Sequence, residues 1–239
     1  MTFTKTQKIG ASMVGSGAKL SAIGTFQIVQ DAVTDFMGEL KIDGITVKRK
    51  FNAFWVFVKT RVKFFKTLAW SEECTVTAFI SSMSLAKMCV DVKVSGSDKS
   101  TAFYARVELC VLDISTQRII KLSAVGVEKS MLSDETALDI IYGKFDEIDV
   151  PLFEKVKVRS TNIDHSHHTN NLEYLRFIMN TYSVEEIEKR VMKEMEVVYA
   201  SQSYENDELD VLKIQKTDRD FIVLQKDNKP VIKCEIVFN

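Results

Sequence analysis

The stretch Asp164-His165-Ser166-His167-His168-Thr169-Asn170-Asn171-Leu172-Glu173-Tyr174-Leu175-Arg176-Phe177-Ile178-Met179 holds all three histidines of the 239-residue chain within four positions. From Leu172 onward apolar residues recur at helical spacing, so the titratable and amide side chains stand at the approach to a helix whose first N–H groups have no intrahelical partner. A near-neutral base beside such donors is what acyl transfer needs. The imidazole takes a proton from an attacking water, and the N–H groups meet the charge that develops on the carbonyl oxygen. A lone histidine is usually just a satisfied surface or core residue; Asp164 on one side and Asn170-Asn171 on the other weaken that reading for His168. Asp also favours turns and helix approaches, and Asn favours the N-cap, so Asp164, Asn170 and Asn171 have structural uses as well.

Outward from this run, the two halves of the chain share a plan of one helix followed by strands. In the first half, Phe26, Ile28, Val29, Ala32, Val33, Phe36, Met37 and Leu40 follow Gly24 at the spacing of a broadly buried helix. Strands rich in aromatic and β-branched residues are expected over 54–65, 74–82, 86–94, 101–113 and 119–127. Ser95-Gly96-Ser97-Asp98 and Asp113-Ile114-Ser115-Thr116 supply turns, which point to antiparallel pairing. The second half offers a strand over 154–159, the histidine run, a helix from about 171 to 182, and a capping box at Ser183-Val184-Glu185-Glu186 opening a short helix. Strands follow over 191–202, 208–215, 221–225 and 231–238. The acidic segment that ends at Pro151 reads as a linker, so the expected organisation is an N-terminal unit 1–130, a linker 131–152 and a C-terminal unit 153–239. The fold class is α+β with two similar halves.

A composition with 46% hydrophobic residues is ample for a buried core. A formal net charge of −1 gives no overall pull toward nucleic acid or an anionic membrane, and any contact with an acidic partner must be a local patch. Cys74, Cys89, Cys110 and Cys234 are widely spaced without a CxxC pair and read as reduced thiols. Met1 to Lys8 lacks the apolar core of a signal peptide and no run reaches the length of a membrane span, so a cytoplasmic protein is expected.

Two stretches carry a family resemblance. Asp164-x-Ser166-x-His168-x-Asn170-Asn171-x-x-Tyr174 resembles the Asp-x-Asn-x-His-x-Asn-Asn-x-x-Tyr signature of acyl-ACP thioesterases, which release fatty acids from acyl carrier protein. Far upstream, Asn52-Ala53-Phe54-Trp55-Val56-Phe57-Val58-Lys59-Thr60-Arg61-Val62, with Trp70 following, is similar to the family's Trp-Val-Val-Thr-Arg strand. The resemblance implies a tandem (double) hot-dog, each half a central helix packed on a curved antiparallel sheet. It also implies that the C-terminal half is catalytic, with His168 as the base and Asp164 holding the active-site side chains. The N-terminal half, with Trp55 on its aromatic strand and Phe36-Met37 at its helix end, would shape the acyl pocket. Asn170 and Asn171 belong to the substrate side, where capping leaves neighbouring N–H groups free to polarise a carbonyl.

Two positions depart from the family pattern. Ser166 stands where the family has asparagine, a mild change because a hydroxyl still donates. Gln202 stands where the family has a carboxylate, and it neither ionises nor accepts a proton. Either Asp164 or Glu205 takes over that role, or His168 works with oriented dipoles. Ser203 lies where plant relatives carry a cysteine and reads as a strand-end hydroxyl. His165-Ser166-His167-His168 is similar to the start of a metallo-hydrolase HxHxDH run, but Thr169 follows and the chain has no fourth histidine, so neither a metal nor another cofactor is expected. No GxSxG elbow is present. The expected activity is hydrolysis of fatty acyl-ACP in fatty acid biosynthesis, with acyl carrier protein as partner, no nucleic acid, and homodimerisation left open. An acyl-CoA thioesterase and a non-catalytic acyl-binding module are the alternatives.

Overall fold

Helix α1 (Ala22–Glu39) buries Phe26, Ile28, Val29, Ala32, Val33, Phe36 and Met37, the face its spacing predicts. Ser21 caps it, accepting from the Gly24 N–H at 3.0 Å and donating to the Met13 carbonyl at 2.9 Å. That arrangement brings the Met13 carbonyl oxygen within 2.1 Å of where a Cβ on Gly24 would lie, so only glycine fits there. The structure is a computed structural model describing residues 1–140, 142–143 and 151–239. The chain divides into two units, Met1–Ile140 and Ile141–Asn239.

The first unit contains β1 (Thr2–Lys8), α1, α2 (Gly44–Phe51), β2 (Ala53–Phe64), β3 (Glu73–Met83), β4 (Lys87–Gly96), β5 (Thr101–Asp113) and β6 (Ile119–Ile120). Its antiparallel sheet has the order β1-β3-β4-β5-β2, with β6 paired to β5. The second unit contains β7 (Leu152–Lys157), α3 (Asn171–Met179), α4 (Val184–Lys189), β8 (Met192–Tyr199), β9 (Glu208–Gln215), β10 (Arg219–Lys226) and β11 (Lys229–Phe238). Its order is β7-β9-β10-β11-β8, the same connectivity strand for strand. The repeated plan is therefore strand, helix, four strands.

Several expected elements are corrected. β1 lies ahead of the first helix; its single buried residue, Phe3, is too little apolar signal to reveal a strand at the sheet edge. α2 also escapes the periodicity because it buries only Val47; it is defined by its caps, Asp43 accepting from the Thr46 N–H at 2.9 Å and Asn52 in the left-handed region at φ 51°. The strand expected over 119–127 stops at Ile120, and Leu122–Val125 form a 3₁₀ turn closed by Gly126 at φ 83°. The Ser183 capping box forms as read. Residues 132–140, inside the expected linker, pack on the first unit, whereas Ile141 and residues 144–150 of that linker lie outside the described residues.

Strand register places Phe3, Ala78, Val92 and Ala105 on one face of the first sheet, and Phe3 meets Phe36 of α1 with ring centroids 6.4 Å apart. Phe79, Asp91 and Arg106 are paired on the other face. There Asp91, 0% exposed, accepts from Arg106 Nε and Nη2 at 2.7 Å each, from Ser81 Oγ at 2.7 Å and from the Tyr104 hydroxyl. Arg106 reaches on to the carbonyls of Leu138 and Ile140 at 3.1 and 3.0 Å, and Tyr104 accepts from the Leu138 N–H at 3.1 Å. The carboxylate thus positions the cation and phenol that hold the 132–140 segment. Its hydrogen bonds to Arg106 raise the guanidinium pKa further; burial, with Asp91 adding, raises that of Tyr104. Removing one partner of a buried ion pair typically costs about 3–5 kcal/mol. Asp91→Ala is expected to lower unfolding free energy by about that amount in denaturant titration, and to speed amide exchange of Leu138.

Candidate active site

The histidine run forms a closed loop between β7 and α3. Ile163 and Thr169 pair as an antiparallel bridge across its neck. Inside the neck, Asp164 Oδ1 accepts from the Ser166 N–H at 2.7 Å, the Asp164 carbonyl accepts from the His167 N–H at 3.0 Å, and the Asp164 N–H donates to the His168 carbonyl at 3.0 Å. This is the Asx turn that aspartate favours, and it drives His167 into the left-handed region at φ 65°. His165 and His167 consequently stand exposed, while Asp164, Ser166 and His168 are half-buried.

The loop is fixed from beneath by Ser203, which is 0% exposed. The Thr169 N–H and Oγ1 donate to the Ser203 carbonyl at 2.9 and 3.1 Å, and the two hydroxyls lie 2.7 Å apart. Tyr174, one helical turn into α3, accepts from the Ser203 N–H at 2.9 Å, and its hydroxyl lies 2.9 Å from Ser203 Oγ. Thr169, Ser203 and Tyr174 thereby tie the residue after His168, the first turns of the helix and the residue after Gln202 into one buried network. The reading of Ser203 as a strand-end hydroxyl understated this role, because a single serine in sequence carries no sign of its partners.

Gln202 and Tyr204 flank that pinned residue, and both are exposed. The Tyr204 ring meets His168 edge-on, centroids 6.0 Å apart at 65°, and its hydroxyl donates weakly to Gln202 Oε1 at 3.4 Å. Tyr204 is therefore a common neighbour of the histidine and of the glutamine. The following turn is closed by Asp207, which accepts from the Tyr204 N–H at 2.9 Å and pairs with Lys226 at 2.7 Å. Burial pushes the Asp207 carboxyl upward, but the Lys226 bond and the N–H outweigh it and hold the pKa below the ordinary value.

Asn170 caps α3, its Oδ1 accepting from the Leu172 N–H at 2.9 Å, and its own N–H donates to the Asn162 carbonyl at 2.8 Å. Asn162 in turn donates to Glu173 at 2.8 Å, and Glu173 pairs with Arg176 at 3.0 Å. Asn171 is the first helical residue and is half-buried. In the first unit, Trp55 donates its indole N–H to the Ile42 carbonyl at 2.7 Å, and Phe36 and Met37 lie in the core. A cavity of about 420 Å³ in that unit is lined by Phe65, Lys93, Thr101, Tyr104 and residues 136–138, not by Trp55, Phe36 or Met37.

Residues 145–233 match the family model for the acyl-ACP thioesterase C-terminal domain. The resemblance carried by the histidine motif extends over this segment. The loop, the Ser203 network and Tyr204 all fall within it. In fold, the chain is similar to an acyl-ACP thioesterase from Bacteroides thetaiotaomicron, with a TM-score of 0.92 at 14% identity, covering 100% of this chain and 98% of that one. It is also similar to the 12:0-ACP thioesterase from Umbellularia californica, with a TM-score of 0.88 at 15% identity, covering 100% and 97%. The tandem hot-dog fold expected from the motif is thus the fold of this chain. No curated protein sequence matches it significantly.

Tyr174→Phe deletes the acceptor of the Ser203 N–H and leaves a buried donor unpaired, which costs about 1–3 kcal/mol. Chemical denaturation is expected to read that loss. Amide exchange at Thr169 should rise with it, since the same serine anchors both.

Proposed function

We propose that this protein hydrolyses fatty acyl thioesters of acyl carrier protein, releasing free fatty acid and the carrier thiol within fatty acid biosynthesis. The observation that carries the reading is the half-buried His168 on a loop tied by Ser203 to the N-terminus of α3, inside the segment that matches the family. His168 takes a proton from water as its oxygen attacks the thioester carbonyl. The tetrahedral intermediate collapses with cleavage of the C–S bond, and the imidazolium returns the proton to the departing sulfur. General-base assistance of this kind is worth roughly 10²–10⁴ in rate.

The remaining roles follow from the contacts. Asp164 sets the loop through its Asx turn and so aims the imidazole; Ser166 supplies a hydroxyl at the position of the family's asparagine. Gln202 orients the water or the imidazole as a dipole, with Tyr204 between it and His168. Asn170 holds the helix end through its cap on the Leu172 N–H, and the side-chain amide of the half-buried Asn171 donates to the carbonyl oxygen. Trp55 of the first unit, its indole held by the Ile42 carbonyl, is assigned to the acyl chain. Four free cysteines, three of them buried, fit the reducing cytoplasm.

His168→Ala is expected to lower kcat with acyl-ACP by at least about a hundredfold with unchanged folding by circular dichroism. Wild-type turnover in this variant would place the base elsewhere. Gln202→Glu adds a charge able to stabilise the imidazolium and is expected to keep or raise kcat, whereas Gln202→Ala lowers it. Absence of thioester hydrolysis in the wild type and in both Gln202 variants, across several chain lengths, would leave an acyl-binding module.

A further inference from the structure

Helix α2 exposes a cationic face with an apolar centre. At about 100° per residue, the fully buried Val47 points into the unit, Ile45 and Arg49 fall on the opposite side and Lys48 lies beside Ile45 at the flank, while Lys50 and Phe51 lie nearer the Val47 side. Ile45 is 73% exposed and Phe51 40%. Lys41, Lys48, Arg49 and Lys50 are all exposed and make no ion pair among the described residues. The nearby carboxylate of Asp43 is committed to the cap, accepting from the Thr46 N–H at 2.9 Å and the Thr46 hydroxyl at 2.6 Å.

Three cations in the last turn favour the helix dipole, which is a sufficient reason for charge there. It is no reason for an isoleucine between two of them on the solvent side. That pattern suits a partner surface that is acidic and carries a small apolar contact. Unpaired cations draw the partner in and set its register, and the apolar side chain supplies the desolvated centre. An anionic lipid surface shares the charge. Yet α2 has eight residues, about 12 Å at 1.5 Å per residue, and offers only two exposed apolar side chains, far short of a membrane-lying amphipathic helix.

We infer that this face of α2 docks the acidic carrier protein that delivers the acyl chain, an inference that rests on the acyl-ACP reading above. Binding is measured apart from turnover, by fluorescence anisotropy with a carrier bearing the acyl chain through a non-hydrolysable amide. Hydrolysis is followed in parallel with a carrier-free acyl-pantetheine thioester. The double variant Lys48→Glu/Arg49→Glu is expected to bind at least about tenfold more weakly, with a flatter salt dependence. Ile45→Ser is expected to weaken binding by about three- to tenfold, with little change in salt dependence. Acyl-pantetheine hydrolysis and circular dichroism should stay at wild-type level in both, which separates docking from chemistry and from folding. Unchanged carrier binding in the double variant, or none by the wild type, overturns the docking surface while acyl-pantetheine turnover still upholds the hydrolase. Carrier binding that depends on α2 in a protein without any thioester turnover upholds the surface and overturns the hydrolase. Loss of binding to phosphatidylglycerol vesicles with carrier binding intact assigns the face to lipid and overturns the proposal.

Discussion

Burial of one helix face against one face of an antiparallel sheet organises each unit, and the other features depend on it. In the first unit the seven apolar residues of α1 are all covered, and each fully buried large side chain is worth roughly 1.5–3 kcal/mol. Strand alternation then sends the intervening side chains to the opposite face. There an uncovered sheet would face water, and the 132–140 segment covers it, held through Asp91, Arg106 and Tyr104. A buried carboxylate is tolerable only because Arg106, Ser81 and Tyr104 together saturate its oxygens.

The second unit meets the same constraint with a different set of polar residues. Lys213 on β9 shares the buried side of its sheet with Ile222 and Cys234, and it donates to the Thr181 carbonyl just past α3 at 2.7 Å, its ammonium 3.5 Å from the Tyr182 ring centre. Burial depresses its pKa. Beside it, Asp220 binds the Tyr182 hydroxyl at 2.7 Å and Arg190 at 2.6 Å, and Arg190 lies 3.7 Å over the Phe238 ring. These contacts fasten the end of α3 and the chain that follows to the sheet. The start of α3 is fastened by Ser203 and Tyr174, so the helix that carries the candidate site at its N-terminus is tethered at both ends.

A helix held in this way makes the preceding loop a stable platform. The Asx turn of Asp164 shapes the loop locally, but its position relative to Gln202 and Tyr204 depends on Thr169 reaching Ser203. Positioning of that kind matters for acyl transfer, because misplacing a base by about 1 Å can cost as much as 10²-fold in rate. Next to the buried Ser203, Tyr204 is an aromatic neighbour of His168 and reaches Gln202.

Local chemistry determined much of this protein from sequence alone. The long apolar face of α1, the strands β2 to β5 and β8 to β11, the Ser183 capping box and the Asp164 turn each follow from residues close together in the chain, and the histidine motif already resembled the family that residues 145–233 match. β1 and α2 were beyond that reach because each buries only one apolar residue, and β1 is completed by pairing with β3, far along the chain. The same holds for Ser203 with Thr169, 34 positions apart, and for Arg106 with Ile140, also 34 apart. Their hydrogen bonds exist only when the sheet brings distant strands and loops together. Tertiary structure therefore decided which polar groups are buried, which partners satisfy them and which cations remain open to solvent, since desolvation and pairing depend on three-dimensional neighbours that no local pattern encodes.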